Sequence, residues 1–181
     1  MHLASCRLRP AVNLMKIRLI RPDDAAAYRS ILERTSDDDR YNRFFHSVDA
    51  LDPADVQRSV ERRPDMIGAI AFDGGVALGA GHAALLNDAS AELAIVVAAD
   101  ARRRGVGRNL VAYLMCELEK RGYMRFVAYS LHGNAGFAHL GRSVGLASER
   151  VDGGMVHWSR ELTPRESLAR IPNAHTTRGS Q

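Results

Sequence analysis

A chain of 181 residues, 46% hydrophobic and 25% charged, is long enough for one well-filled core and too apolar to stay disordered. Its formal charge of +4 comes from Arg7, Arg9, Arg165, Arg170 and Arg178 against Glu166, so residues 15–162 are balanced and carry no nucleic-acid footprint. No apolar run reaches the ~20 residues that cross a bilayer, and two cysteines, Cys6 and Cys116, are too few for a disulfide scaffold or a zinc site. A soluble protein of the reducing cytosol, without a metal, is expected.

In chain order, residues 1–14 lack the apolar stretch of a secretory signal and are expected to be a flexible extension, with Met15 an alternative start. Ile17 to Ile20 is a short strand. Arg21-Pro22-Asp23-Asp24 opens a helix, Pro22 extending Arg21 and an Asp capping, and Ala25, Tyr28, Ile31 and Leu32 form its apolar stripe. Asp52-Pro53 begins a second helix over Ala54 to Arg62. Met66 to Phe72 and Val76 to Leu86 flank Asp73-Gly74-Gly75 as a hairpin, and Asn87-Asp88 turns into a third strand, Glu92 to Val97. The 3.6-residue spacing of Val106, Leu110, Val111, Leu114, Met115 and Leu118 predicts the longest helix, stopped by Gly122. Arg125 to Ser130 is a strand and Asn134 to Val144 a helix. Ala147 to Val151 and Met155 to Leu162 form a last hairpin about Asp152-Gly153-Gly154. Residues 163–181, with Pro164, Pro172 and several Ser and Thr, are expected to be a disordered tail. The order β α α β β β α β α β β specifies one α/β domain over 15–162, a twisted mixed sheet of six or seven strands with helices on both faces.

The most informative turn is Arg102-Arg103-Arg104-Gly105-Val106-Gly107, at the head of the long helix. Glycines there let successive N–H groups converge on one anion, the helix N-terminus adds partial positive charge, and arginines stand by. A pyrophosphate suits such a nest, while a plain tight turn bearing exposed arginines is the alternative.

The strand Ala91 to Val97 followed by this loop and the long helix resembles motif A of the Gcn5-related N-acetyltransferases, the GNAT superfamily, in which a [Gln/Arg]-x-x-Gly-x-[Gly/Ala] loop holds acetyl-CoA. Arg102, Gly105 and Gly107 match, and Ala99 stands where a proline is common. Asn134 and Gly145-Leu146 agree with the superfamily's Asn…Gly-Phe segment, with Leu for Phe. Arg21-Pro22-Asp23-Asp24 and the segment Ser36 to Phe45 resemble the opening of Pat-type protein lysine acetyltransferases, which act on acyl-CoA synthetases, with Asp39 in place of a Ser. Tyr41, Phe44 and Phe45 then either fill a core or wall the acceptor site.

An amine of pKa ~10.4 must lose a proton before it attacks, so a carboxylate is needed near the reacting carbon. Glu92 matches the strand glutamate that serves as base in many members of the superfamily, and alternation places it on the face opposite Ala91, Leu93 and Ile95. Asp100 is a substitute, with loop capping as its other role. Backbone N–H groups at Ile95, Val96 and Val97 are candidates for stabilising the thioester oxyanion. Arg102, Arg103, Arg104, Gly105, Val106, Gly107 and Arg108 are assigned to the phosphates, and Asn134 to the pantetheine arm or to an N-cap. The tyrosine that protonates the CoA thiolate in many members falls at Gly141, which leaves Tyr129, His132, His139 or water for that task.

The resemblance implies acetyl transfer from acetyl-CoA to an amine, with a protein lysine preferred and an acyl-CoA synthetase or another protein as partner. Monomer and homodimer are both open at this point, the last hairpin strand being available to pair across a dimer. The alternatives are a small-molecule amine acetyltransferase and a non-catalytic acyl-CoA-binding module.

Overall fold

A computed structural model describes residues 15–44, 51–86, 88–150 and 152–162. The expected extension 1–14, the tail 163–181, Phe45 and Asn87 lie outside the described residues. Seven strands, β1 (Lys16–Leu19), β2 (Met66–Asp73), β3 (Val76–Leu85), β4 (Ser90–Val97), β5 (Arg125–Leu131), β6 (Ala147–Arg150) and β7 (Met155–Glu161), form one sheet in the order β1-β2-β3-β4-β5-β7-β6. Every neighbouring pair is antiparallel except β4 and β5, whose crossover is a single long helix. The helices are α1 (Ala25–Glu33), α2 (Asp37–Phe44), α3 (Pro53–Val60), α4 (Val106–Glu119) and α5 (Ala135–Ser143). No helix among the described residues is long and apolar enough to cross a membrane.

The β2–β3 hairpin turns on Gly74 and Gly75, both with positive φ (55° and 87°), as a turn matched to strand twist requires. α4 buries Val106, Leu110, Val111, Leu114, Met115 and Leu118 against β2, β3 and β4. Its close seat depends on β3. A Cβ built on Gly79 would stand 3.1 Å from Val106 Cγ1, and one on Gly81 would stand 2.9 Å from Leu114 Cδ1. The intervening β3 residues point the other way, where buried His82 meets Ser59 O of α3 at 2.9 Å and lies edge-on to Tyr28 of α1.

Four expectations need correction. The segment after Thr35 is a helix, α2, so three α-helices and not two precede β2; Ser36 caps it, hydrogen-bonded to Asp39 three residues on. Asp24 does not cap α1 through its side chain, because Pro22–Asp24 is a separate 3-10 turn and the carboxylate folds back to accept from Arg21 N (2.8 Å) and from both arms of Arg18 (2.6 Å each). The last strand is not free to pair across a dimer, since β7 is inserted between β5 and β6 and leaves β6 at the edge. α3 also stops at Val60, short of Arg62, because Pro64 and the residue before it disfavour helix.

The Arg18–Asp24 pair ties β1 to the head of α1. Hydrogen bonds from the Arg18 guanidinium, aided by the Arg21 amide, hold the nearly buried Asp24 carboxyl below its ordinary range. A depressed carboxyl contributes stability above its unfolded pKa of ~3.9 and loses it as pH falls through the lower folded value. Asp24→Asn is therefore expected to cost about 2 kcal/mol at neutral pH. In thermal melts the gap between variant and wild type narrows as the pH falls through that lowered folded value.

Candidate active site

The site begins where the sheet opens. β4 and β5 pair only from Ser90–Glu92 against Arg125–Val127, although β4 runs on to Val97 and β5 to Leu131. Leu86 N–H donates to Ser90 O (2.9 Å) and Ala98 N–H to Leu78 O (3.0 Å), which assigns the even-numbered residues of β4 to the β3 ladder. The N–H and C=O of Leu93, Ile95 and Val97 must point the other way, the Leu93 N–H into the last rung with Val127 and the rest into the gap. Val96, opposite Ala80, turns its amide to β3, so of the three consecutive candidates only Ile95 and Val97 face the opening.

Directly paired residues share a face of the sheet. Ile95 and Val97, across from Gly81 and Gly79, project toward α4. Glu92, across from Ala84 and level with Val127, lies half-buried on the opposite face, at the last rung before the strands part. A carboxylate there meets an acceptor arriving from the side away from α4.

The nest stands at the far end of β4. Arg103 (φ 57°) and Gly105 (φ 78°) adopt left-handed conformations, which curl the chain so that the first N–H groups of α4 lack intrahelical acceptors and converge at its head. Gly107 has a different reason to be glycine: a Cβ would lie 3.3 Å from Leu140 of α5 and 3.7 Å from Val97, so it lets strand and both helices meet. Asn134 caps α5 by accepting from Phe137 N (2.9 Å).

Two of the arginines are engaged. Arg102 forms an ion pair with Asp39 of α2, and Arg104 donates to Asp73 at the β2–β3 turn (2.5 Å). Arg103 and Arg108 are exposed and form no ion pair with another described residue. Each engaged guanidinium has five donors and an exposed edge, so it remains able to contact a second anion. Sequence reasoning missed both acids; the Ser36 cap on the Asp39 amide was the one local signal that would have placed Asp39 on a helix. Asp100 is taken by Arg34, which grips its two oxygens at 2.8 and 2.9 Å and also donates to Ala77 O. That clamp makes Asp100 a fastener of the loop and leaves Glu92 as the carboxylate at the opening.

Gly141 is buried against Trp158, whose Cε3 would lie 2.9 Å from an added Cβ. The ring is fixed further by its N–H to Ser130 Oγ (2.9 Å) and by Phe137. Tyr129 lies on the Glu92 face, while His132 and His139 are exposed. Cys116 is half-buried, and no group of His, Cys, Asp or Glu among the described residues is arranged to hold a metal. A cavity of about 890 Å³ lies at the other end of the sheet between Arg18, Arg62, Gly68, Tyr113 and Arg121. It touches neither the nest nor the β4–β5 gap, and the chemistry follows the gap.

Comparison with known proteins agrees with this geometry. The model of the Acetyltransferase (GNAT) family matches residues 27–141. The GNAT domain of S. lividans PAT superposes with a TM-score of 0.76 at 26% identity, over 82% of this chain and 90% of that one. The ribosomal-protein-alanine N-acetyltransferase of Brucella melitensis gives 0.68 at 23% identity, over 81% and 99%. The yncA protein of Salmonella typhimurium, solved with its cofactor acetyl-CoA, gives 0.65 at 19% identity, over 84% and 96%.

Proposed function

The chain belongs to the GNAT acetyltransferase family, and from this premise we infer that it carries the acetyl group of acetyl-CoA to an amine on a protein lysine side chain. The nest at Arg103 to Arg108 takes the pyrophosphate, with Arg102 and Arg104 turning their free donors toward it. The pantetheine arm enters the gap between β4 and β5, where it adds the missing strand contacts to Leu93, Ile95 and Val97. The Ile95 or Val97 amide meets the oxyanion as the thioester carbonyl becomes tetrahedral, a donor fixed in place before reaction. Glu92 takes the ammonium proton, directly or through water, from an acceptor on the opposite face.

The observation that carries the protein acceptor is α2. This helix holds the segment that resembles the Pat-type opening, packs on β4 beside the gap, is tied to the phosphate loop through Asp39, and presents Tyr41 at 44% exposure. The likeness to the GNAT domain of S. lividans PAT supports the same reading. A specific observation favours the non-catalytic alternative: the interlock at Gly141 leaves no room for the helix tyrosine.

Release of CoA from acetyl-CoA, measured against acyl-CoA synthetases, polyamines, aminoglycosides and free amino acids, separates these readings. Turnover is expected on a folded protein acceptor, with mass spectrometry placing the acetyl group on lysine. Turnover confined to small amines overturns the protein assignment, and acetyl-CoA binding with no turnover on any acceptor favours the binding module.

A further inference from the structure

We propose that Tyr129 is the acid that protonates the departing CoA sulfur, held in place by His157; this rests on the acetyl-transfer reading above. The task needs a donor at the point where the C–S bond breaks, and the α5 position that would supply one is closed by Trp158. His139 sits on the exposed side of α5 and His132 in the exposed turn after β5. Tyr129 stands at the opening itself. The β4–β5 ladder ends at Glu92 opposite Val127, and Tyr129 is two residues further along β5, about 7 Å on, with its side chain on the same face. Glu92 and Tyr129 thus flank the start of the gap from its two edges, one able to accept a proton and the other carrying one.

The ring is positioned by packing. Tyr129 pairs directly with His157 on β7, and the two rings lie 5.2 Å apart at a tilt of 41°. His157 pairs in turn with Glu149 on β6, its Nδ1 3.9 Å from the carboxylate. This row fixes the aromatic body of Tyr129 while 37% of the residue remains exposed, and its hydroxyl makes no hydrogen bond to another described residue. The charged and titratable groups facing it are Glu92 on β4, His157 on β7 and Glu149 on β6.

The chemistry favours a phenol there. A phenol carries one O–H that it can donate to the departing sulfur, and its ring gives β7 a flat surface by which to hold it. In the step itself the amine nitrogen bonds to the acetyl carbon, the C–S bond breaks, the electron pair leaves on sulfur, and the Tyr129 hydroxyl proton passes to that sulfur. The second proton on nitrogen leaves as the amide forms and, relayed through water, restores the Tyr129 hydroxyl, while Glu92 passes the ammonium proton to solvent.

Tyr129→Phe is expected to lower kcat about 10²-fold and to leave the KM and Kd for acetyl-CoA and the melting temperature at wild-type values. His157→Gln is expected to lower kcat by less, with the Kd unchanged. Wild-type kcat in Tyr129→Phe, or a lowered kcat accompanied by a changed Kd or melting temperature, overturns the assignment of Tyr129 alone. Absence of turnover in the wild type on every acceptor overturns the transfer reading and this assignment with it.

Discussion

Glu92→Gln is expected to lose about 10²- to 10⁴-fold in kcat with no change in the Kd for acetyl-CoA. The loss corresponds to about 3 to 5.5 kcal/mol of transition-state stabilisation. Glutamine is isosteric and keeps the half-buried rung opposite Ala84 filled, so the fold and the nest, which lies at the other end of β4, are untouched. What disappears is the proton acceptor. Residual turnover then depends on the acceptor arriving as free amine, and its rate climbs about tenfold per pH unit toward the lysine pKa of ~10.4. Initial rates from about pH 6 to 9 with saturating acetyl-CoA measure this, and a variant that tracks wild type throughout removes Glu92 from the mechanism.

Gly141→Tyr, the change that would install the tyrosine common in the family, is expected to destabilise the protein by about 3 kcal/mol and to lower its melting temperature by about 6 to 12 °C. The obstacle is the ring of Trp158, which cannot swing aside like the end of a flexible chain. It is 2% exposed, hydrogen-bonded to Ser130 and packed against Phe137. Overpacking of this kind displaces α5 or the β5–β7 ladder beneath it. A melting temperature within about 1 °C of wild type would mean that the contact relaxes freely and that Gly141 is not held by its neighbour.

Much of this architecture is legible in local chemistry. The Gly74-Gly75 turn, the apolar stripe of α4 and the left-handed glycine at 105 each follow from a few adjacent residues. Alternation along β4 is enough to place Glu92 opposite Leu93. What sequence reasoning missed depends on partners distant in the chain. Ser36 caps α2 by accepting from the Asp39 amide, yet Asp37-Asp38-Asp39 is so polar that no apolar stripe announces the helix; its anchoring to Arg102 is tertiary. A hairpin can be laid against β5 by either of its strands, so the insertion of β7 ahead of β6 is not decided by the turn at Gly153-Gly154. Gly107 looked like a second phosphate-loop glycine, and its neighbours Leu140 and Val97 supply a packing reason that no motif contains. The distinction between Val96 and its neighbours needs the β3 register, since only that register shows which amides are already used.

The bare stretch of β3 at Gly79 and Gly81 has a mechanical corollary. With no β3 side chains at these two positions, α4 seats close to the backbone of that strand, and Leu114, over Gly81, lies eight residues from Val106 at the head of the helix, about 12 Å along its axis. The helix is a stiff beam pivoting on that contact. A single methyl group placed under Leu114 tilts the beam and is felt as a displacement of the amides at its tip. The aim of the nest is therefore set partly from deep inside the core, by atoms that never come near a phosphate.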